Sequence, residues 1–224
     1  VDQKTGVIGG DSALPYIHGF DIRSELKKRF GLPVSIENDA NCAALAEMAS
    51  GAGKKVKDAI FLVIGTGVGG ALVVDKKLHH GAHLLGGEFG YLLLGQEMTV
   101  SQIVSPVSIA ERYNAKTSQA LSGKEVFAKA QTGDKIACAE VDNALQTLAL
   151  LIYNLQYSFD PELFIIGGAI SKNPALISML EPKLAKLRQK VKAAKLEPKI
   201  AVCRYYEQAN LLGAAINFKK MMEG

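Results

Sequence analysis

Residues 59–64 (AIFLVI) form an unbroken apolar run, and a second run at 71–74 (ALVV) closes on Asp75-Lys76-Lys77. A run of this length between turn residues suits a strand buried on both faces. The residues between the runs, Gly65-Thr66-Gly67-Val68-Gly69-Gly70, satisfy G-x-G-x-x-G. After a strand, that pattern raises the possibility of a dinucleotide-binding turn. Such a turn needs a helix next, so that the helix N-terminus faces the pyrophosphate. Here β-prone residues follow, so the pattern predicts strand, glycine turn, strand. A hairpin of this kind either serves only as a turn or cradles phosphate. Missing side chains let backbone N–H groups reach phosphate oxygens, and the Thr66 hydroxyl adds a donor.

The segments on either side set the fold class. Asp21 is placed to cap a helix carrying Ile22, Leu26 and Phe30, which Gly31 and Pro33 stop. Val34-Ser35-Ile36 reads as a strand that hands over at Glu37-Asn38-Asp39 to an Ala-rich helix over 40–50. Helices are expected over 107–113, 123–131, 134–159, 176–194 and 209–222, with strands over 163–166 and 200–203. Residues 7–14 and 84–95 are Gly-punctuated apolar stretches. Strands alternating with helices predict an α/β architecture.

Composition narrows the function classes. The chain has 224 residues with 48% hydrophobic and 21% charged, enough to bury a large core and too apolar for disorder. A net charge of +4 is too mild to imply nucleic acid. The basic residues Lys183, Lys186, Arg188, Lys190, Lys192 and Lys195 alternate with Leu184, Leu187, Val191 and Leu196 at helical spacing, which reads as a solvated face over a packed one. No apolar stretch is long and uninterrupted enough to span a membrane, and the first residues do not resemble a signal peptide. Cys42, Cys138 and Cys203 are odd in number and far apart, so reduced thiols are expected. The chain is therefore expected to be cytoplasmic. It opens on Val1 and runs at once into a turn-like segment, so further residues are expected upstream.

Three polar clusters invite chemistry. Glu37-Asn38-Asp39-Ala40-Asn41 lies where strand meets helix, a usual place for α/β active sites. Asp39 could accept a proton from a hydroxyl nucleophile and Asn38 could bond a polar ligand, or Asp39 could simply cap the helix. Gly86-Gly87-Glu88-Phe89-Gly90-Tyr91 sets an acid among glycines in an apolar stretch, where it needs a partner or a polar ligand. His79, His80 and His83 lack acids or cysteines at metal-binding spacing and read as turn or surface residues.

The order IENDAN, LVIGTGVGGALV, GGEFGYLLL, LFIIGGAIS resembles the ROK family of bacterial sugar kinases and repressors, over essentially the whole chain. The resemblance implies an actin-like ATPase (ribonuclease-H-like) fold with sugar and nucleotide bound between two lobes. Residues 1–56 with 208–224 would form an incomplete small lobe, and 57–207 the large one. It implies that Asp39 is the catalytic base, with Asn38, Glu88, Tyr91 and Ser12 at the sugar. Thr66 and Gly67 would lie at the phosphates of ATP, and Gly167 and Gly168 near the nucleoside, with Mg2+ held largely by the family's first phosphate loop. Family members are typically homodimers.

Three departures qualify this. The family's first phosphate loop, of Asp-Ile-Gly-Gly-Thr type, is absent, so the chain as given is not expected to be a competent kinase alone. Tyr91 replaces the His that precedes a cysteine cluster in zinc-containing members, and no such cluster follows, so no zinc is expected. Ser101 falls where those members place a further sugar-binding Glu. Zinc-free members with this Tyr include β-glucoside kinases and some N-acetylmannosamine kinases. The expectation is therefore an ATP-dependent kinase of a hexose or β-glucoside, acting at the 6-hydroxyl, with a small-molecule sugar as partner and neither nucleic acid nor membrane. A sugar-responsive regulator and a non-catalytic sugar-binding protein are the alternatives. The regulator requires a helix-turn-helix that this sequence does not contain.

Overall fold

The computed structural model describes residues 1–10, 14–95 and 97–223. In chain order the elements are α1 (Ile22–Phe30), α2 (Asp39–Ser50), β1 (Ala59–Ile64), β2 (Val68–Val74), β3 (Lys77–Leu78), α3 (Val100–Val104), α4 (Pro106–Thr117), α5 (Gly123–Gln131), α6 (Lys135–Phe159), β4 (Leu163–Gly167), α7 (Leu176–Lys190), β5 (Ile200–Val202) and α8 (Ala209–Glu223). The strands form one sheet in the order β3-β2-β1-β4-β5. β1 lies antiparallel to β2, with Ile64 opposite Val68, and parallel to β4, with Val63 opposite Gly167.

Alternation along β1 explains its unbroken apolar sequence. Ile60, Leu62 and Ile64 face a core built with α3 to α7, whereas Ala59 and Phe61 face a smaller core with α2 and the start of α8. Both faces are covered, so every position must be apolar. Fully buried side chains such as Phe164, Ile152 and Leu148 each contribute roughly 1.5–3 kcal/mol. α6 has 25 residues and a mean hydropathy of 1.2 over its most apolar window, long and apolar enough to cross a membrane. Its apolar side chains instead fill the larger core, among them Leu145, Leu148, Leu151 and Ile152. On α2 the small residues Ala43 and Ala44 let the helix approach the sheet closely.

Local signals hold in most places. Asp21 caps α1 by accepting from the Ser24 N–H (3.0 Å), and Gly31 ends that helix with φ +66°. Asp134 caps α6 in the same way, through Ile136 and Ala137. Four readings need correction. Val34-Ser35-Ile36 is not in a strand, because none of the described strands lies beside it to complete a ladder. The cap of α2 is Asn38, whose Oδ1 accepts from Ala40 N (2.9 Å) and Asn41 N (3.1 Å); Asp39 is the first helical residue. α3 went unread because five residues are too few for a periodic signal. α7 ends at Lys190, leaving Val191 and Leu196 exposed beyond it, while Leu184 and Leu187 pack as expected.

Candidate functional site

β1 ends at Gly65 and β4 ends at Gly167-Gly168, at the same end of the sheet. Gly168 has φ +82°, and a Cβ there would collide with the Ile64 carbonyl, so the turn after β4 is pressed against the end of β1. Only glycine permits both the conformation and the approach. The connection over 65–67 is closed by Gly65 N–H donating to the Gly67 carbonyl (2.9 Å), and Thr66 stands exposed at its tip. Gly69 backs onto the start of α2, where a Cβ would lie 3.7 Å from that of Ala40. Both glycine turns and the N-terminus of α2 thus gather at one end of the sheet. The positive end of the α2 dipole faces this region and favours anionic groups.

Among the cavities that open there are two with Asp39 in their walls. One, of about 900 Å³, is lined by Asn38, Asp39, Glu88 and Tyr91, together with Glu37 and His80. The other, of about 430 Å³, is lined by Asp39, Phe61, Gly168, Lys172, Tyr206 and Asn210. Among the described residues, Asp39 lines both. Its Oδ1 accepts from Ala40 N (2.8 Å), which leaves the second carboxylate oxygen to a ligand. Asn38 commits its Oδ1 to the helix cap, so it faces a ligand as a donor through Nδ2.

Glu88 follows Gly86-Gly87, and the loop is tight. A Cβ on Gly87, at φ +98°, would lie 2.7 Å from the Gly70 carbonyl oxygen. Phe89 then anchors the segment in the core, edge-on to Phe159 at 6.4 Å between ring centroids. Burial pushes the Glu88 carboxyl above its ordinary value, and the negative charge of Asp39 adds to the effect. Cys42, one turn into α2, is pushed up to about 12 by burial and by Glu37 and Asp39, which makes it an unreactive thiol.

The structure therefore brings Asn38, Asp39, Glu88 and Tyr91 into one cavity and Gly168 into the adjoining one. Thr66 and Gly67 sit at the hairpin tip and line neither, and Gly167 is buried at the end of β4. Ser12 lies outside the described residues. Ser101 is not among the cavity residues. Its Oγ accepts from Val68 N (2.9 Å) and donates to the Val68 carbonyl (3.3 Å), which clamps α3 to the glycine hairpin. Sequence reasoning missed Glu37, His80, Lys172 and Tyr206. Glu37 stood directly before Asn38-Asp39, and His80, read as a turn or surface residue, instead lies partly buried against Glu37 (2.8 Å); Lys172 and Tyr206 carried no signal and reach the cavities from distant segments. Among the described residues no three His, Cys, Asp or Glu side chains converge as a metal site.

Comparison with known proteins places the chain in a family. The ROK family model matches residues 1–221. A β-glucoside kinase of Listeria innocua serovar 6a is 33% identical over 230 residues, covering 97% of this chain and 76% of that protein. The crystal structure of a ROK family protein from Streptococcus pneumoniae TIGR4 in complex with sucrose matches with a TM-score of 0.90 at 36% identity, covering 100% of this chain and 78% of that one. The crystal structure of a ROK hexokinase from Thermus thermophilus matches with a TM-score of 0.85 at 28% identity, covering 100% of this chain and 77% of that one.

Proposed function

The chain belongs to the ROK family and has its actin-like ATPase fold, and on that premise we propose that the protein phosphorylates a hexose or β-glucoside with ATP. The observation that carries the reading is the place of Asp39 between two cavities. A phosphoryl transfer needs the acceptor hydroxyl and the donor phosphate to meet beside one carboxylate, and a shared wall residue meets that demand.

In this reading the sugar occupies the larger cavity. Asn38 donates to one sugar hydroxyl, Glu88 accepts from others, and Tyr91 stacks or bonds at the rim. Asp39 takes the proton of the 6-hydroxyl as its oxygen attacks the γ-phosphate. The nucleotide occupies the smaller cavity, with its phosphates toward Thr66 and Gly67 and the α2 N-terminus, and its nucleoside beside Gly167 and Gly168. The Lys172 ammonium stands at that cavity wall, paired with the Glu207 carboxylate at 3.0 Å. Magnesium would be held by phosphate oxygens, water and, in the main, the family's first phosphate loop. It would neutralise phosphate charge. We further assign residues 1–56 and 208–224 to the small lobe and 57–207 to the large one. The names of the relatives support a sugar as acceptor, since they include a β-glucoside kinase, a hexokinase and a sucrose complex. Unpaired cysteines and the use of ATP suit a cytoplasmic setting.

ADP release by the full-length protein tests the proposal against glucose, cellobiose and other β-glucosides, N-acetylmannosamine and fructose. Turnover with one of these sugars is expected. Saturable sugar binding without ADP release from any of them would replace the kinase with a sugar-responsive regulator.

A further inference from the structure

Glu37 directly precedes Asn38-Asp39, and its side chain is 1% exposed. Four groups engage its two oxygens. Asn38 N (2.8 Å) and Asn41 Nδ2 (2.9 Å) donate to Oε1, Gln3 Nε2 donates to Oε2 (2.5 Å), and His80 Nε2 lies 2.8 Å from Oε2. A carboxylate withdrawn from water is costly unless saturated in this way, and removing one partner leaves the rest of the cost standing. The partners come from three separate stretches: the first residues, the start of α2, and the segment after β3.

The third partner leads back to the site. The His80 carbonyl accepts from Gly86 N (2.8 Å), and a Cβ on Gly86 would collide with the His79 carbonyl. The loop over 79–87 is therefore closed on itself, and Glu88 follows it directly. One continuous set of contacts runs from the start of α2 through Glu37 and His80 to Gly86 and Glu88.

We infer that Glu37 and His80 are a positioning pair, holding the Glu88 loop against the start of α2 so that the Glu88 and Asp39 carboxylates keep a fixed relation. The inference rests on the sugar-site reading above. Neither residue is assigned to proton transfer. The pair acts by holding the groups that meet the sugar, and small displacements of such groups are expensive in rate.

In the full-length protein, Glu37→Gln and His80→Ala are each expected to lower kcat/KM for the sugar by roughly ten- to a hundredfold, while KM for ATP changes less than about twofold. The double variant should lose less than the product of the two single losses, because both disturb the Glu37–His80 contact. His80→Gln keeps a donor and should recover most of the loss, whereas His80→Phe keeps ring volume and should not. Amide hydrogen exchange in the His80→Ala variant is expected to speed up over both 38–42 and 84–89, on the two sides of the contact. Faster exchange confined to the loop, recovery by Phe as complete as by Gln, or losses that multiply in the double variant would overturn the inference. A wild-type protein that turns over no sugar would instead overturn the kinase reading, and exchange would still decide the pair.

Discussion

Asp39 and Asn38 divide their labour through the helix they begin. Asn38 Oδ1 accepts from the Ala40 and Asn41 N–H groups and Asp39 Oδ1 shares the Ala40 N–H, so Asp39 keeps its other carboxylate oxygen for a ligand. Glu88 illustrates the cost of burying a carboxyl. Burial and the nearby Asp39 raise its folded-state pKa above the ordinary 4.5, so holding it ionised at neutral pH works against folding. The favourable contribution of the protonated form is complete below 4.5 and is lost as pH rises through the raised folded value. Glu88→Gln removes this titration. Thermal unfolding of the variant should therefore show a higher Tm than wild type near pH 7, with the gain shrinking as pH falls toward 4.5. A gain that instead grows toward acid would contradict the account of this carboxyl.

Among the elements, α2 and α8 form the layer behind the site, and their crossing is set by one residue. A Cβ on Gly213 of α8 would collide with the Cys42 carbonyl of α2, and a backbone atom cannot swing aside. Gly213→Ala should cost about 1–3 kcal/mol, lowering Tm by roughly 2–12 °C. Helix propensity alone would favour Ala by about 1 kcal/mol, so an unchanged or higher Tm would show that the crossing has slack. Elements that carry their own cause were legible in the sequence. β1 is apolar throughout because both its faces are covered, and the cap of α1 is a side chain whose bond is local. The segment 34–36 has the composition of a strand, but strand formation depends on a neighbour, which composition does not report. The short α3 was hidden for a different reason, since its place comes from packing and from the Ser101 clamp on Val68. The candidate site divides in the same way. Asn38, Asp39 and Glu88 stood out as polar residues in local motifs, whereas His80 and Lys172 join the cavities only through the topology.

For the whole molecule, the sheet order decides where chemistry is possible. β1 sits between an antiparallel and a parallel neighbour, and the glycine turns at its end and at the end of β4 meet the N-terminus of α2. In the proposed reading, sugar and nucleotide approach from two cavities with Asp39 between them. That arrangement, more than any single motif, supports a phosphoryl transfer from ATP to a sugar. The most direct test is to compare Asp39→Asn with wild type in the full-length protein, measuring kcat on the preferred sugar and sugar affinity by calorimetry. The account predicts that kcat falls by about 10²–10⁴-fold while sugar affinity stays within a few-fold, because the amide keeps the shape and loses the base. A kcat within a few-fold of wild type would contradict it.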